Sequence, residues 1–187
     1  MVIFPEMGAR RFAEVELGSL IVVRVADGRY ALHLKVAHDP AKDTRQDFVV
    51  ALDHERWREV GSPHLIPYEQ QAIDETVLDL GNTFVIKANA DPNSVVLSPD
   101  AAPDKNFGLV FSGDEVFLRV LGAESGVGRR PPLWIQLSSG EVIAPSVEQF
   151  NAPSALVNQW EINLLPPNDL KTSYPPQTIF VWPPPTE

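Results

Sequence analysis

The hydrophobic positions of this chain fall into short clusters, and in the clearest cluster apolar and polar residues alternate one by one. That cluster is Arg29–Val36, in which every second side chain is large and apolar. A period of two is typical of a β-strand with one buried face, so we expect Leu34 in the core and Lys35 in solvent. Leu20–Val25 precedes it across a glycine-containing turn of hairpin length at 26–28. The two segments predict an antiparallel hairpin.

The rest of the chain is divided into short pieces by 18 prolines and 11 glycines, and these pieces favour β-branched and aromatic residues. Strands are predicted at Phe48–Leu52, Phe84–Ala88, Ser94–Leu97, Phe107–Phe111, Val116–Leu121, Leu133–Leu137 and Val142–Ile143. Two stretches compete as helices, Tyr68–Leu78 and Ser154–Trp160, and Ser154 is a suitable cap for the second. We therefore predict a mainly β protein, an antiparallel β-sandwich or barrel with one or two short helices.

Two segments of the chain resemble each other and suggest an internal duplication. Val15–Arg24 and Leu78–Lys87 share, in order, an acidic residue, Leu-Gly, a small polar residue, an apolar run and a basic residue. This similarity predicts two related β units, residues 12–60 and 75–125, within a body that spans residues 1–165. A chance likeness between glycine-containing hairpins is the alternative.

The segment 166–187 differs from the body because prolines at 166, 175 and 183 begin Pro-Pro runs around one apolar stretch, Thr178–Trp182. Proline prevents helix here, so we predict an extended arm that adds a strand to an open sheet edge. Ile179, Phe180 and Trp182 are the predicted interface residues. The sheet edge belongs either to the same chain or to a second copy. We expect a homodimer, because two-fold dimers are the commonest closed assembly.

Composition excludes several kinds of site and partner. The chain has no cysteine, which excludes disulfides, thiolate-based zinc sites, iron–sulfur clusters and a cysteine nucleophile. No signal-peptide pattern and no long apolar run is present in the sequence, so we expect a cytoplasmic protein without a membrane partner. The formal net charge is −10, and nearly all of the excess falls after residue 60. Nucleic-acid binding is disfavoured by that charge.

The histidines do not form a recognisable catalytic or metal-binding motif. His33 and His38 are five residues apart and a loop begins at His38 with Asp39-Pro40, so a metal site of His33, His38 and Asp39 is geometrically awkward. In Asp53-His54-Glu55 adjacent side chains point in different directions. The sequence Gly122-Ala123-Glu124-Ser125-Gly126 misplaces the serine of a hydrolase elbow, and Gly126-Val127-Gly128 lacks the third glycine of a dinucleotide fingerprint. We therefore predict no metal and no cofactor.

Three weaker candidates for a binding site remain. The adjacent guanidinium groups of Arg129 and Arg130, in a glycine-containing connection, have the geometry to bind an anion; ion pairing with nearby acids is the alternative. The acid pairs Asp114-Glu115 and Asp74-Glu75 are candidates for glycoside hydrolysis, although such pairs arise by chance among 25 acids. Tryptophans can form a sugar-binding face but more often belong to the core; they are Trp57, Trp134, Trp160 and Trp182.

These observations leave three classes of function open. The missing catalytic motifs and the proline-rich arm favour a non-catalytic interaction or assembly module. A β domain that binds a small molecule or a glycan is the alternative, and an enzyme whose acids or histidines converge only in space is the third class. A tryptophan-lined groove would favour glycan binding.

Overall fold

A computed structural model describes residues 7–24, 28–38, 46–52, 65–67, 76–89, 91, 95–97, 108–121, 132–144, 154–166 and 175–183. These residues form β-strands and a short 3₁₀ turn, Phe12–Glu14. In chain order the strands are β1 (Gly8–Arg11), β2 (Leu20–Arg24), β3 (Tyr30–His38), β4 (Gln46–Ala51), β5 (Leu65–Pro67), β6 (Thr76–Gly81), β7 (Phe84–Ala88), β8 (Val95–Leu97), β9 (Gly108–Ser112), β10 (Glu115–Leu121), β11 (Pro132–Gln136), β12 (Glu141–Ile143), β13 (Ser154–Val157), β14 (Trp160–Leu164) and β15 (Gln177–Trp182).

The described strands form two sheets. The large sheet runs in the order β1-β6-β2-β3-β12-β11-β10-β9-β13-β8, with β4 and β5 attached beside β3. Its pairs are antiparallel except for β3 with β12, which run parallel. The small sheet has the order β15-β14-β7 and is antiparallel. Because the path of the large sheet ends at β1 and β8, the described strands do not close into the barrel that the sequence allowed.

The strand predictions hold for most of the chain. The predicted hairpin is confirmed as β2 and β3, which pair antiparallel from Leu20 opposite Leu34 to Arg24 opposite Tyr30. The other predicted strands correspond to β4 and to β7 through β12, and the protein is mainly β as expected.

The helix predicted at Ser154–Trp160 is wrong, because this segment contains β13 and the first residue of β14. Leu156 packs in one cluster with Val110 and Trp134, whereas Val157 belongs to the main core. Leu156 and Val157 therefore lie on opposite faces of the large sheet. Consecutive apolar residues are expected in a strand that is buried on both faces. For the other predicted helix, residues 68–75 lie outside the described residues and residues 76–78 begin β6.

The main core lies between the two sheets. Leu34, Val36 and Leu118 contribute to it from the large sheet, and Ile162 and Phe180 contribute from the small sheet. Leu34 is thus in the core as predicted. The shared apolar core holds the two sheets together, since burial of apolar surface is the main stabilising contribution.

The outer face of the large sheet is also covered, and this makes the predicted exposure of Lys35 wrong. Phe12 and Val15, from the 3₁₀ turn and the residue after it, pack there against Ile21 and Val49. The Lys35 side chain has no exposed surface, and its Nζ donates hydrogen bonds of 2.7 Å to the carbonyl oxygens of Phe12 and Val15. Both faces of β3 are therefore buried. The alternating pattern predicted the position of the strand correctly, but its prediction that the Lys35 face is exposed is wrong.

A close glycine contact joins the start of β2 to the turn between β11 and β12. Gly140 has a φ of 70°, and a Cβ atom built on it would lie 2.5 Å from the backbone nitrogen of Gly18. The Gly140 carbonyl accepts a 3.0 Å hydrogen bond from the Ala37 amide, and the Gly18 amide donates a 2.8 Å bond to the Lys35 carbonyl. Both glycines therefore bind β3, which fixes the β11–β12 turn beside it.

The two segments that suggested a duplication occupy different positions. β2 lies between β6 and β3 in the large sheet, whereas β7 pairs with β14 in the small sheet. Gly18 and Gly81, which precede these strands, share a φ of 77°. The two segments thus share the backbone conformation of the glycine before the strand, but their strands belong to different sheets. Internal duplication stays a prediction.

The C-terminal apolar run forms β15, which pairs antiparallel with β14 of the same chain. Within the described residues, no helix has the length and apolar character that a membrane-spanning segment requires.

Candidate functional site

A cleft of about 380 Å³ lies between the two sheets, next to the start of β7. We call it the intersheet cleft. Its apolar lining among the described residues consists of Phe84, Ile86, Leu109, Phe111, Val116 and Leu137. Its polar lining consists of Asn82, Asp114, Glu115 and Ser138. Strands that are far apart in the sequence therefore contribute to one site.

The apolar lining comes from both sheets. Phe84 and Ile86 occupy alternate positions of β7 and are more buried than Val85 between them, which is 44% exposed. Across the cleft, Phe111 on β9 is paired with Val116 on β10, and both are partly exposed. The cleft therefore offers apolar surface from two sides, as small-molecule sites usually do.

The mouth of the intersheet cleft is acidic. Asp114 lies in the β9–β10 turn and Glu115 begins β10; Gln136 Nε2 donates a 2.8 Å hydrogen bond to Glu115 Oε1 on the outer face of the large sheet, beside the rim of the cleft. Asn82 Nδ2 donates to Glu16 Oε2 at 3.2 Å, which brings a third carboxylate next to the lining. The described lining contains no basic residue. The mouth therefore favours a cation over an anion.

A second cleft, of about 390 Å³, lies at the opposite end of the small sheet, and we call it the tryptophan cleft. Trp160 at the start of β14 is directly opposite Trp182 on β15 and Ala88 on β7. Trp160 is only 3% exposed, and its ring lies 5.1 Å from that of Phe180, whereas Trp182 is partly exposed. Trp182 is therefore the tryptophan that a ligand can reach.

An ion pair lies next to the tryptophan cleft on the outer face of the small sheet, the face opposite to the tryptophan side chains. Lys87 Nζ lies 3.4 Å from Glu161 Oε1, and Asn163 Nδ2 donates a 3.1 Å hydrogen bond to the same oxygen. The hydrogen bond from Asn163, together with the hydrogen bond and the charge of Lys87, lowers the pKa of Glu161 against the opposing effect of burial. Thr178 Oγ1 donates to Asn163 Oδ1 at 2.7 Å, so the supporting amide is itself held in place.

Some residues singled out from the sequence lie outside the described residues, and others pack in the core. Arg129 and Arg130 lie outside the described residues, so the anion-site prediction stays untested. Phe180 is buried opposite Ile162 in the main core of its own chain, and Ile179 and Trp182 pack against that core. These three predicted interface residues therefore contact their own chain in this structure.

The acid pairs and the other tryptophans also have assignable places. Asp114 and Glu115 both belong to the lining of the intersheet cleft. Trp134 is a core residue, with its ring 5.2 Å from that of Phe117. Asp74, Glu75 and Trp57 lie outside the described residues.

The histidines that the structure describes contact backbone carbonyl groups. His33 is buried, with Nδ1 3.1 Å from the oxygen of Ala31, and His38 Nδ1 lies 3.0 Å from the oxygen of Val142. Within the described part of the chain, no three His, Asp or Glu residues come together as a possible metal-binding group. His54 and His64 are outside it.

Sequence reasoning missed the apolar lining of the intersheet cleft. The alternation of Phe84 with Ile86 was visible and identifies one face of β7, but which strands oppose that face depends on long-range pairing. No family model matches the chain, and neither a curated protein nor a solved structure is significantly similar to it. Its function is therefore argued from the geometry of the two clefts.

Proposed function

We propose that this protein is a ligand-binding β domain that holds a small molecule with an apolar body and a cationic group in the intersheet cleft. The observation that carries the proposal is the combination of apolar side chains from both sheets with the acidic residues Asp114 and Glu115 in the lining. The proposal includes the predicted sandwich, in which the two sheets face each other across the main core. The assembly-module and enzyme classes stay predictions.

The apolar lining supplies most of the expected affinity. Each methylene group that a ligand buries contributes about 0.8 kcal/mol. The volume of about 380 Å³ lies near the lower end of the range of small-molecule sites, which suits a compact ligand. Leu109 is fully buried and forms the floor, while Phe84 and Phe111 are partly exposed and able to contact the ligand.

The carboxylates at the mouth select the sign of the ligand's charge. Two opposite charges 4 Å apart attract by about 1 kcal/mol in bulk water, and salt reduces this further. Because Asp114 and Glu115 are exposed, we expect them to add a modest, salt-sensitive preference for an amine. Because Gln136 holds the Glu115 carboxylate on the outer face of the large sheet, we expect Asp114 to contribute more to this preference.

The test uses three probes of similar length that share a phenylalkyl body: 4-phenylbutylamine, 4-phenylbutanol and 4-phenylbutyrate. Calorimetric titration of the full chain is expected to rank their affinities in that order. The double variant Asp114→Asn and Glu115→Gln keeps the shape of the mouth and should weaken only the amine, by about 5-fold. Glu14→Gln, at an exposed position on the 3₁₀ turn, is the control and should change nothing.

A second variant tests the apolar contribution. Phe84→Ala removes part of the wall and is expected to weaken all three probes alike. The proposal is wrong if none of the probes binds, or if the carboxylate binds as tightly as the amine.

A further inference from the structure

We infer that the ligand of the intersheet cleft carries two cationic groups, one at each end of an apolar spacer, and that Glu16 and Asp114 are the residues that bind them. The ligand class is therefore a diamine with a hydrocarbon middle. This inference rests on the proposed function, because it concerns the same cleft and adds a second charged contact to it. The cleft lies where the large sheet divides, and each side of that division supplies one carboxylate.

The large sheet divides into two branches along one edge of β3. The Lys35 amide donates a 2.9 Å hydrogen bond to the Ser19 carbonyl. The Ala37 amide donates a 3.0 Å bond to the Gly140 carbonyl. Alternate residues of a strand direct their amides to the same edge, so β2 and β12 follow one another along that edge. We call β2, β6 and β1 the early branch, and β12, β11, β10, β9, β13 and β8 the late branch.

Both branches line the intersheet cleft, and each brings a carboxylate to it. Asn82, directly after β6, belongs to the early branch, whereas Val116 on β10 and Ser138 after β11 belong to the late branch. Asp114 lies in the turn between β9 and β10. Glu16, shortly before β2, accepts a 3.2 Å hydrogen bond at Oε2 from Asn82 Nδ2. A ligand that contacts both carboxylates therefore crosses the cleft from one branch to the other.

The surface that such a ligand crosses is apolar. Leu109, Phe111 and Leu137 contribute to it from the late branch, and Phe84 and Ile86 contribute from the small sheet. A hydrocarbon spacer gains affinity by burying its methylene groups there, whereas a spacer with polar groups would lose hydrogen bonds to water that these side chains do not replace. The cleft therefore favours a ligand whose charges are confined to its two ends.

The two carboxylates differ from other acids of the protein in their lack of a basic partner. Asp47, Asp79 and Glu161 each lie 3.4–3.6 Å from a lysine or arginine nitrogen. Within the described part of the chain, Glu16 and Asp114 form no such ion pair. The hydrogen-bond donor to Glu16 is a neutral amide, which does not cancel the carboxylate charge. Two uncompensated negative charges beside one apolar cleft favour a cation at each of them.

A contact between the branches positions the backbone of Glu16 relative to the late branch. The Ser19 amide donates a 3.3 Å hydrogen bond to the Glu16 carbonyl, which closes a turn. In that turn Gly18 packs against Gly140, and Gly140 ends the late-branch turn that contains Ser138. The two sides of the cleft are therefore joined directly, and little of the protein has to be ordered when a ligand of matching length binds.

The probes are 1,6-diaminohexane, 1,8-diaminooctane and 1,10-diaminodecane, and each is compared with the amino alcohol of the same length. Their flexible spacers cover a range of separations between the two amines. Calorimetric titration of the full chain at low salt is expected to show that at least one diamine binds about 5-fold more tightly than its amino alcohol. Added salt should reduce this advantage, because exposed charges are screened.

Variants with equal changes in net charge test the assigned residues. Glu16→Gln keeps an acceptor for Asn82 and is expected to reduce the advantage of the diamine to about 2-fold, the statistical gain of a ligand with two equal ends. Asp114→Asn should have the same effect. The matched control is Glu14→Gln, at an exposed position outside the described lining of both clefts, and it should leave the advantage unchanged. All three side chains are exposed, so we expect unchanged circular dichroism spectra.

The results distinguish this inference from the proposed function. If 4-phenylbutylamine and the amino alcohols bind but no diamine exceeds the statistical gain, the ligand has one cationic group; the inference is then wrong and the proposed function stands. If Glu14→Gln reduces the advantage as much as Glu16→Gln does, the preference comes from the overall charge of the protein, and the inference is again wrong. Absence of binding by every amine contradicts both.

Discussion

Lys35 is a buried cation that ties the 3₁₀ turn to the outer face of the large sheet. Besides its two hydrogen bonds to carbonyl oxygens, its Nζ lies 3.6 Å from Asp47 Oδ2 and 4.4 Å from the centre of the Phe12 ring. A buried ammonium group is tolerated only where such partners compensate for the lost hydration. The stem of the side chain meanwhile crosses an apolar layer, as long cationic side chains commonly do.

We predict that Lys35→Met destabilises the protein by about 3 kcal/mol, although methionine fills a similar volume. The substitution leaves the Asp47 carboxylate and two carbonyl groups without their cation, and breaking a buried pair is strongly unfavourable. Lys87→Met, at a side chain that is 74% exposed, is the control and should change stability by less than about 0.5 kcal/mol. Urea unfolding measures both, and equal losses would show that Lys35 is not an anchor.

Substitution of Gly140 has two costs in stability, one from its positive φ and one from steric contact, and a control glycine separates them. Gly140→Ala is expected to lose about 1 kcal/mol from its positive φ, and about 1–3 kcal/mol more from the contact with the Gly18 backbone. Gly113→Ala, at a φ of 58° with nothing within 4 Å of the new Cβ atom, should lose only the first of these. Thermal unfolding of the two variants measures the difference, and similar melting temperatures would contradict the close approach.

At the scale of elements, alternation was a reliable guide to where strands lie and a poor guide to what covers them. The segment Arg29–Val36 predicted β3 to within two residues, because its period of two is a local property of the sequence. Lys35 was misplaced because its burial depends on Phe12 and Val15, which are far from it in the sequence. The pattern of one strand does not specify which other segment packs on its second face.

Strands without alternation were missed for a related physical reason. β13 is buried on both faces, so its apolar residues are consecutive and resemble a turn of helix. β6 carries Asp79 at a buried position, where the carboxylate accepts from the Gly81 amide at 2.8 Å and lies 3.4 Å from Arg10 Nε. In the sequence alone, an acidic residue at such a position interrupts the apolar pattern that would identify a strand.

Only a few lining residues of the two clefts were identified from the sequence. The sequence singled out Asp114-Glu115 and Trp182 by residue type, and these residues do line the two clefts. The apolar lining of the intersheet cleft comes from β7 in the small sheet and from β9 and β10 in the large sheet, and β7 reaches its place by pairing with the distant strand β14. Such long-range pairing is not encoded in any local pattern.

At the scale of the whole molecule, β3 connects the early and late parts of the large sheet. It pairs with β2 and β4 from the early part and with β12 from the late part. The small sheet is likewise composite, since β7 lies well before β14 and β15 in the sequence. The intersheet cleft therefore depends on the assembly of both sheets, and the tryptophan cleft depends on all three strands of the small sheet.

The final prediction concerns β15, because the sequence left open whether this strand packs on its own chain or on a second copy. In the structure Phe180 is 4% exposed within the core of its own chain, so Phe180→Ala should destabilise the protein by about 3–5 kcal/mol. Val85→Ala in the same sheet replaces a half-exposed side chain and should change stability by less than about 0.5 kcal/mol.

Truncation after Pro175 removes β15 entirely and exposes one edge of β14. We expect a large fall in melting temperature, because Ile179, Phe180 and Trp182 together bury enough apolar surface to rival the whole stability of a small domain. Pairing within one chain also predicts that light scattering gives the same oligomeric state before and after truncation. A full-length dimer that dissociates on truncation would instead show that the strand is exchanged between two copies, and an unchanged melting temperature would show that β15 does not support the core.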